Sequence, residues 1–450
     1  MKNLKKRELS IYVHIPFCKA KCHYCDFLSF AGCSYSNHKQ YITALCREIE
    51  AYKSVADEYV VKTIFFGGGT PSYMDASLVE LVMETIREVF FVDELAEITI
   101  EGNPDSLTKV KLAVYRKAGI NRLSIGLQSA NDELLKMLGR VHNYDQFIAA
   151  YSSARQVGFS NINVDLMSGL PGESTESYLR TLAKVVELQP EHISAYSLIV
   201  EEGTPLYDND ALLDILPSEE LDRQLYAKTK MLLKNSKYDR YEISNYAKSG
   251  CECRHNLVYW TGGEYLGVGL GASSYLHVKM DDERYEKVRF HGVENMDEYI
   301  GRFSQCEGMR EDAYTNTYHY YEDDMYSDMG EIFGMDLSYD GYDGDSANLQ
   351  KYHQYENNAL LEFIRDYYKD LHFLKRKEEM EEFMFLGLRC TRGVSKEEFK
   401  QRFGVEIESV YGKIIRKYVN QELLIEKEDR LYLSDAGIDV SNVVMAEFML

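Results

Sequence analysis

The 450-residue chain has no uninterrupted apolar run near the roughly 18 residues that a membrane-crossing helix needs. Its basic start, MKNLKKRELS, is not followed by the apolar core of a secretory signal. A cytoplasmic protein is expected. Positive charge is scarce: 51 Lys and Arg against 73 Asp and Glu leave a formal net charge of −22. That argues against sequence-independent nucleic-acid binding over most of the surface. A disulfide framework is also disfavoured. The nine cysteines are odd in number, and three lie too close together to pair sensibly. No Walker loop or dinucleotide fingerprint is present, since Gly67-Gly68-Gly69-Thr70 lacks the Gly-Lys-Ser/Thr ending.

What is present centres on Ile11–Phe27, IYVHIPFCKAKCHYCDF. A short apolar run reads as a buried strand and delivers Cys18, Cys22 and Cys25 onto one loop. Three thiolates at this spacing can hold three corners of a four-iron cluster and leave one iron open for chemistry. Zinc stays open as an alternative, with His14, His23 or Cys33 as a fourth ligand.

Strand and helix patterns then alternate. Strands are expected at Lys62–Phe66, Glu97–Glu101, Arg122–Gln128, Asn161–Leu166 and His192–Leu198. Helical patterns at Asn37–Lys53, Leu78–Phe91, Leu107–Ala118, Asp132–Leu138, Tyr144–Val157 and Ser174–Leu188 separate them. Such units predict a parallel sheet with helices outside. Six of them can curve into a partial (β/α)6 barrel whose site lies on the loops after the strands. The glycine loop sits there, with backbone N–H groups suited to an anionic group; a tight turn reads equally well. Glu101, Gln128, Arg140 and Asp165 lie at or beyond strand ends and should face the barrel mouth. A carboxylate there can take two ribose hydroxyls, and an arginine can fork a carboxylate. A salt bridge inside the mouth is the alternative.

Beyond Gly203 the pattern is less regular and includes Cys251-Glu252-Cys253-Arg254-His255. On a strand, these alternate ligands would have little freedom to close on one metal ion. About 310–372 is acidic and tyrosine-rich, and a mobile insertion is expected. From 373 to 450, helices precede a hairpin around Glu428-Asp429, with Ser395 and Glu398 spaced as a capping box. A small winged-helix-like domain is expected, without nucleic acid as partner. The remaining residues, 1–309, form the barrel and its extension.

These motifs resemble the radical S-adenosylmethionine (SAM) superfamily. HIPFC, GGGTPS, GINRLSIGLQS, NVDLMSGLPG and His255-Asn256-x-x-Tyr259-Trp260 are similar to the group that contains the oxygen-independent coproporphyrinogen III oxidases and the heme chaperones. The resemblance implies an α/β fold with a partial (β/α)6 radical SAM barrel. It implies a [4Fe–4S] cluster on Cys18, Cys22 and Cys25, and SAM bound at the free iron. One electron from the cluster would cleave SAM to methionine and a 5′-deoxyadenosyl radical. Tyr12, Tyr24, Gly68, Gly69, Thr70 and Glu101 would serve SAM; Gln128, Arg140 and Asp165 match positions that hold a second SAM in the oxidases.

Two departures separate the chain from the oxidases. They carry a further cysteine two residues after the third, where this chain has Phe27, and a longer N-terminal extension. Both look like the heme-chaperone branch. The resemblance then implies heme as cargo, His255 as its iron ligand, and heme-accepting apoproteins as partners. Delivery at a membrane surface and a homodimer are left open. Porphyrin oxidation by an oxidase is the alternative function.

Overall fold

The computed structural model describes residues 6–280, 284–304 and 358–449. Strands β1 (Arg7–Ile15), β2 (Tyr59–Gly68), β3 (Val92–Gly102), β4 (Arg122–Gln128), β5 (Ile162–Ser168) and β6 (His192–Ser197) pair in parallel, each with the next. Ile11, Val13 and Ile15 of β1 are all buried. Near-continuous burial is what a parallel strand covered on both faces demands. Helices α1 (Tyr35–Ala51), α2 (Ala76–Val89), α3 (Lys109–Lys117), α4 (Asp132–Met137), α5 (Tyr144–Gln156) and α6 (Thr175–Glu187) cross between them. Ser34, Asp75, Thr108, Asn131, Asn143 and Ser174 accept backbone N–H groups as N-caps. The expected partial barrel is therefore formed, with most strand and helix boundaries of this half within a few residues of expectation, although β3 begins at Val92, five residues before the expected Glu97.

The sheet extends further than six strands. Short β7 (Asp239–Arg240) and β8 (Asn245–Ala247) continue it beyond β6. On the other side, β9 (Tyr265–Val268) pairs with β1 in parallel, followed by antiparallel β10 (Ser273–Lys279), β11 (Tyr285–His291) and β12 (Lys369–Phe373). The glycine-rich stretch hides this strand from a sequence reading. Gly267 is there because a Cβ would stand 2.2 Å from the Ser273 carbonyl oxygen.

Residues 310–357 of the acidic insertion lie outside the described residues. Its last part differs from the expected loose segment. Helix Ala359–Tyr367 buries Leu360, Leu361 and Ile364, and β12 joins the main sheet. Apolar residues at helical spacing outweigh the acidic composition there.

Residues 376–449 form a second, smaller core around Met384, Phe399, Ile407, Tyr411 and Leu431. Helices Arg376–Gly387, Lys396–Phe403 and Ile407–Asn420 precede the hairpin β14 (Leu424–Lys427) and β15 (Arg430–Leu433), with β13 (Val394–Ser395) on its edge. Ser395 Oγ caps Glu398 N–H at 2.9 Å. Asp429, rather than the Glu398 side chain, supplies further acceptors, taking the Glu397 N–H at 2.8 Å.

Candidate functional site

The carboxyl ends of β2 to β6 open onto a cavity of about 510 Å³. Cys18, Cys22 and Cys25 form one wall, and Gly68, Gly69, Thr70, Glu101, Gln128, Arg140 and Asp165 line the rest. Tyr24 is also in the lining. The fold thus brings together nearly all the residues expected from sequence. Tyr12 sits beneath, with its ring near Gly67 and its hydroxyl 3.1 Å from His14 Nδ1.

The glycine loop runs against the cysteine loop. A Cβ on Gly69 would lie 2.8 Å from Phe17 O and 3.0 Å from Cys18 Sγ. One on Gly68, whose φ is +109°, would strike the His14 ring. Thr70 Oγ1 stands 3.4 Å from Cys18 Sγ.

Gln128 has a φ of +64°, unusual for a residue with a side chain. It lies where the β4–β5 register shifts, a bulge that re-aims a side chain. Its Oε1 is buried and has no hydrogen-bond partner among the described residues. Strain and an orphaned acceptor inside a pocket mark a place for a ligand donor.

Burial raises the Glu101 pKa to about 8, and the Asp165 charge adds to it; the Gly68 N–H and Arg122 oppose. Asp165 is also raised by burial, although Asn163 and Ser124 donate to it at 2.8 and 3.0 Å. Burial pushes the Cys18 and Cys25 thiols up. A bound metal centre would reverse that by deprotonating them.

The zinc alternative finds little to build on. His14 Nε2 is 3.0 Å from Leu28 O and His23 Nδ1 is 2.9 Å from Met137 O. Among the described residues no group of three His, Cys, Asp or Glu side chains stands preset around one point, the three loop cysteines included. Three sulfurs along one wall, a loop without side chains against them, and the orphaned Gln128 acceptor fit a larger cluster with a polar ligand beside it.

His255 is not brought into this cavity. It is 1% exposed, with Nδ1 2.7 Å from Thr63 Oγ1 and Nε2 2.9 Å from Tyr259 Oη. Burial, with Arg122 nearby, lowers its pKa to about 3. Cys251-to-His255 is also not a strand. Cys253 stands at the N-cap position of the helix Arg254–Thr261 without a side-chain cap bond, and Glu97 accepts the Arg254 and His255 N–H groups instead, each at 3.1 Å.

Asn103, Met167, Tyr196 and Ile199 also line the cavity and are not singled out by the sequence reading. For Asn103 a signal exists, the Gly102-Asn103-Pro104 turn directly after a strand.

Comparison with known proteins agrees with this geometry. Residues 12–185 match the Radical SAM superfamily, and residues 374–440 match the HemN C-terminal domain. The chain is 32% identical over 443 residues to the heme chaperone HemW of Bacillus subtilis (strain 168), covering 98% of this chain and 99% of the relative. It belongs to the HemW family. The HemW of Escherichia coli (strain K12) is 38% identical over 269 residues, 60% of this chain and 70% of that one. The solved structure of coproporphyrinogen III oxidase (HemN) from Escherichia coli, a radical SAM enzyme, superposes with a TM-score of 0.74. It covers 99% of this chain and 90% of that one at 21% identity, which shows a shared fold. Family membership carries the iron–sulfur and SAM character of the radical SAM proteins. Among the described residues no helix is long and apolar enough to cross a membrane.

Proposed function

We propose that this chain is a heme chaperone that holds a [4Fe–4S] cluster and SAM in the barrel mouth, binds heme and passes it to acceptor proteins in the cytoplasm. Cys18, Cys22 and Cys25 would ligate the cluster. Gly68, Gly69 and Thr70 would line the amino acid end of SAM with their backbone groups. Glu101 would take its ribose, and Gln128, Arg140 and Asp165, which match the second-SAM positions of the oxidases, would line the mouth beside it. When bound, the cluster supplies an electron and an open iron site.

The observation that carries the chaperone reading is Phe27. It lines the cavity next to Cys25 and is 60% exposed, at the position where the oxidases place a further cysteine. Ile199, 68% exposed, and Leu198 and Met167 continue an apolar wall around the mouth. Such a wall suits the face of a porphyrin. His255 is the iron ligand that the family resemblance implies; it lies below this wall and could meet iron only if its bonds to Thr63 and Tyr259 open.

The test is anaerobic incubation of reconstituted protein with SAM and either heme or coproporphyrinogen III. Heme is expected to bind, and coproporphyrinogen III to remain unconverted. Robust formation of protoporphyrinogen IX overturns the reading.

A further inference from the structure

Asn103 joins two hydrogen-bond donors that reach two different cysteine sulfurs. Its Nδ2 donates to Thr70 Oγ1 at 3.0 Å. Its Oδ1 accepts from Arg140 Nη2 at 2.6 Å. Thr70 Oγ1 is in turn 3.4 Å from Cys18 Sγ, and Arg140 Nη1 donates to Cys22 Sγ at 3.5 Å.

The amide orientation is forced. Turned over, its NH2 would face the arginine, donor against donor. Because the Thr70 oxygen accepts from Asn103, the hydroxyl proton is free to point at the Cys18 sulfur. Arg140 Nη2 is held by Asn103 and by Gly126 O at 2.7 Å, which leaves Nη1 for Cys22. Gly126 makes room for this, since a Cβ there would come within 3.2 Å of both groups.

The amide cannot drift. The Asn103 N–H donates to Ser72 Oγ at 3.2 Å, and its carbonyl accepts from Ser106 N at 3.0 Å and Ser106 Oγ at 2.9 Å. Ser29 is a second hydroxyl at Cys18, opposing with Thr70 the upward push of burial on the thiol, but its one proton has Phe27 O as an acceptor at 3.2 Å. Cys25 is served by the Phe27 backbone N–H.

We infer that Asn103 is a positioning residue that sets the reduction potential of the cluster by directing the Thr70 hydroxyl to Cys18 and the Arg140 guanidinium to Cys22. The inference rests on the cluster reading above. Donors to ligand sulfurs withdraw electron density and favour the reduced state, which raises the potential. An aspartate at this position would accept from the Thr70 hydroxyl instead of donating to it. The proton then turns away from Cys18, and the new carboxylate offsets the Arg140 charge.

The test is a redox titration of the reconstituted full chain, followed by the electron paramagnetic resonance of the reduced cluster. Parent, N103D, T70V, T70S and N103D/T70V proteins are compared. N103D and T70V are expected to lower the potential, T70S to keep it near the parent value, and T70V to add no further drop once N103D is present. Should N103D not assemble a cluster, N103A removes both amide contacts without adding charge and is expected to shift the same way. An assembled cluster with unshifted potential in these variants overturns the inference, as do fully additive drops. A parent protein that takes up no iron–sulfur cluster overturns the cluster reading itself, a distinct result.

Discussion

Thr63 Oγ1 lies 2.7 Å from His255 Nδ1, deep below the barrel mouth. The Thr63 hydroxyl donates to Ser10 Oγ at 2.7 Å, so its oxygen accepts from the imidazole. This bond stabilises the buried form of His255 against any form that presents it to iron. A net hydrogen bond contributes about 1 kcal/mol, roughly a five-fold change in an equilibrium. T63V is therefore expected to strengthen heme binding several-fold, and H255A to remove the imidazole-ligated heme spectrum. Absorbance titration with heme reads both. Unaltered affinity and spectrum in the two variants would show that another group binds the iron.

The pair Glu101 and Asp165 makes SAM binding sensitive to pH. With its pKa near about 8, Glu101 is largely protonated at neutral pH. The ionised carboxylate is the stronger acceptor for ribose hydroxyls. SAM affinity is expected to rise as pH approaches about 8. D165N removes one of the charges that raise Glu101, so the rise should move to lower pH. Equilibrium dialysis with SAM across this range checks both; a pH-independent affinity counts against Glu101 as the ribose group.

A third titratable group governs stability. Glu48 of α1 is buried and accepts the Gly269 N–H at 2.8 Å, the Tyr368 hydroxyl at 2.5 Å and the Tyr299 hydroxyl. It thereby ties α1 to the helix Met296–Ser304 and to Tyr368, immediately before β12. Burial raises its pKa to about 7, against the opposing pull of the two tyrosines and Gly269. The folded state then binds this proton more tightly than the unfolded state does. The stabilisation it gives is full below the unfolded pKa and is lost as pH rises through about 7. Relative to the parent, E48Q should gain stability between about pH 5 and about pH 7, read by urea unfolding at each pH. A difference that is flat with pH contradicts the assignment.

The cluster loop itself gives the simplest prediction. Changing Cys18, Cys22 and Cys25 to Ala should abolish the iron–sulfur absorption while leaving the far-ultraviolet circular dichroism intact. The fold does not depend on them, because the apolar residues of β1 and β2 carry the core there. A retained iron–sulfur spectrum contradicts the loop assignment.

Much of the barrel and its site is legible in sequence because the signals are local. Apolar strands end in Gly67–Thr70, Glu101 or Gln128, and the loop position follows from the strand. Other features depend on approach between distant segments. β9 is masked by the glycines that its neighbours require. The amphipathic pattern of Leu360, Leu361 and Ile364 is drowned by acidic composition around it. His255 reads as an available ligand because nothing in its own motif announces Thr63, 192 residues away. Asn103 matters through both ends of one amide, and that relation exists only once Thr70 and Arg140 are folded against it.

Heme transfer tests the central claim most directly. The reconstituted chain, loaded with heme, is mixed under anaerobic conditions with a heme-free acceptor protein, and the acceptor is then separated and its heme spectrum recorded. The account predicts heme on the acceptor, delivered faster than from free heme at the same concentration. An acceptor that stays heme-free, or fills no faster than from solution, contradicts it.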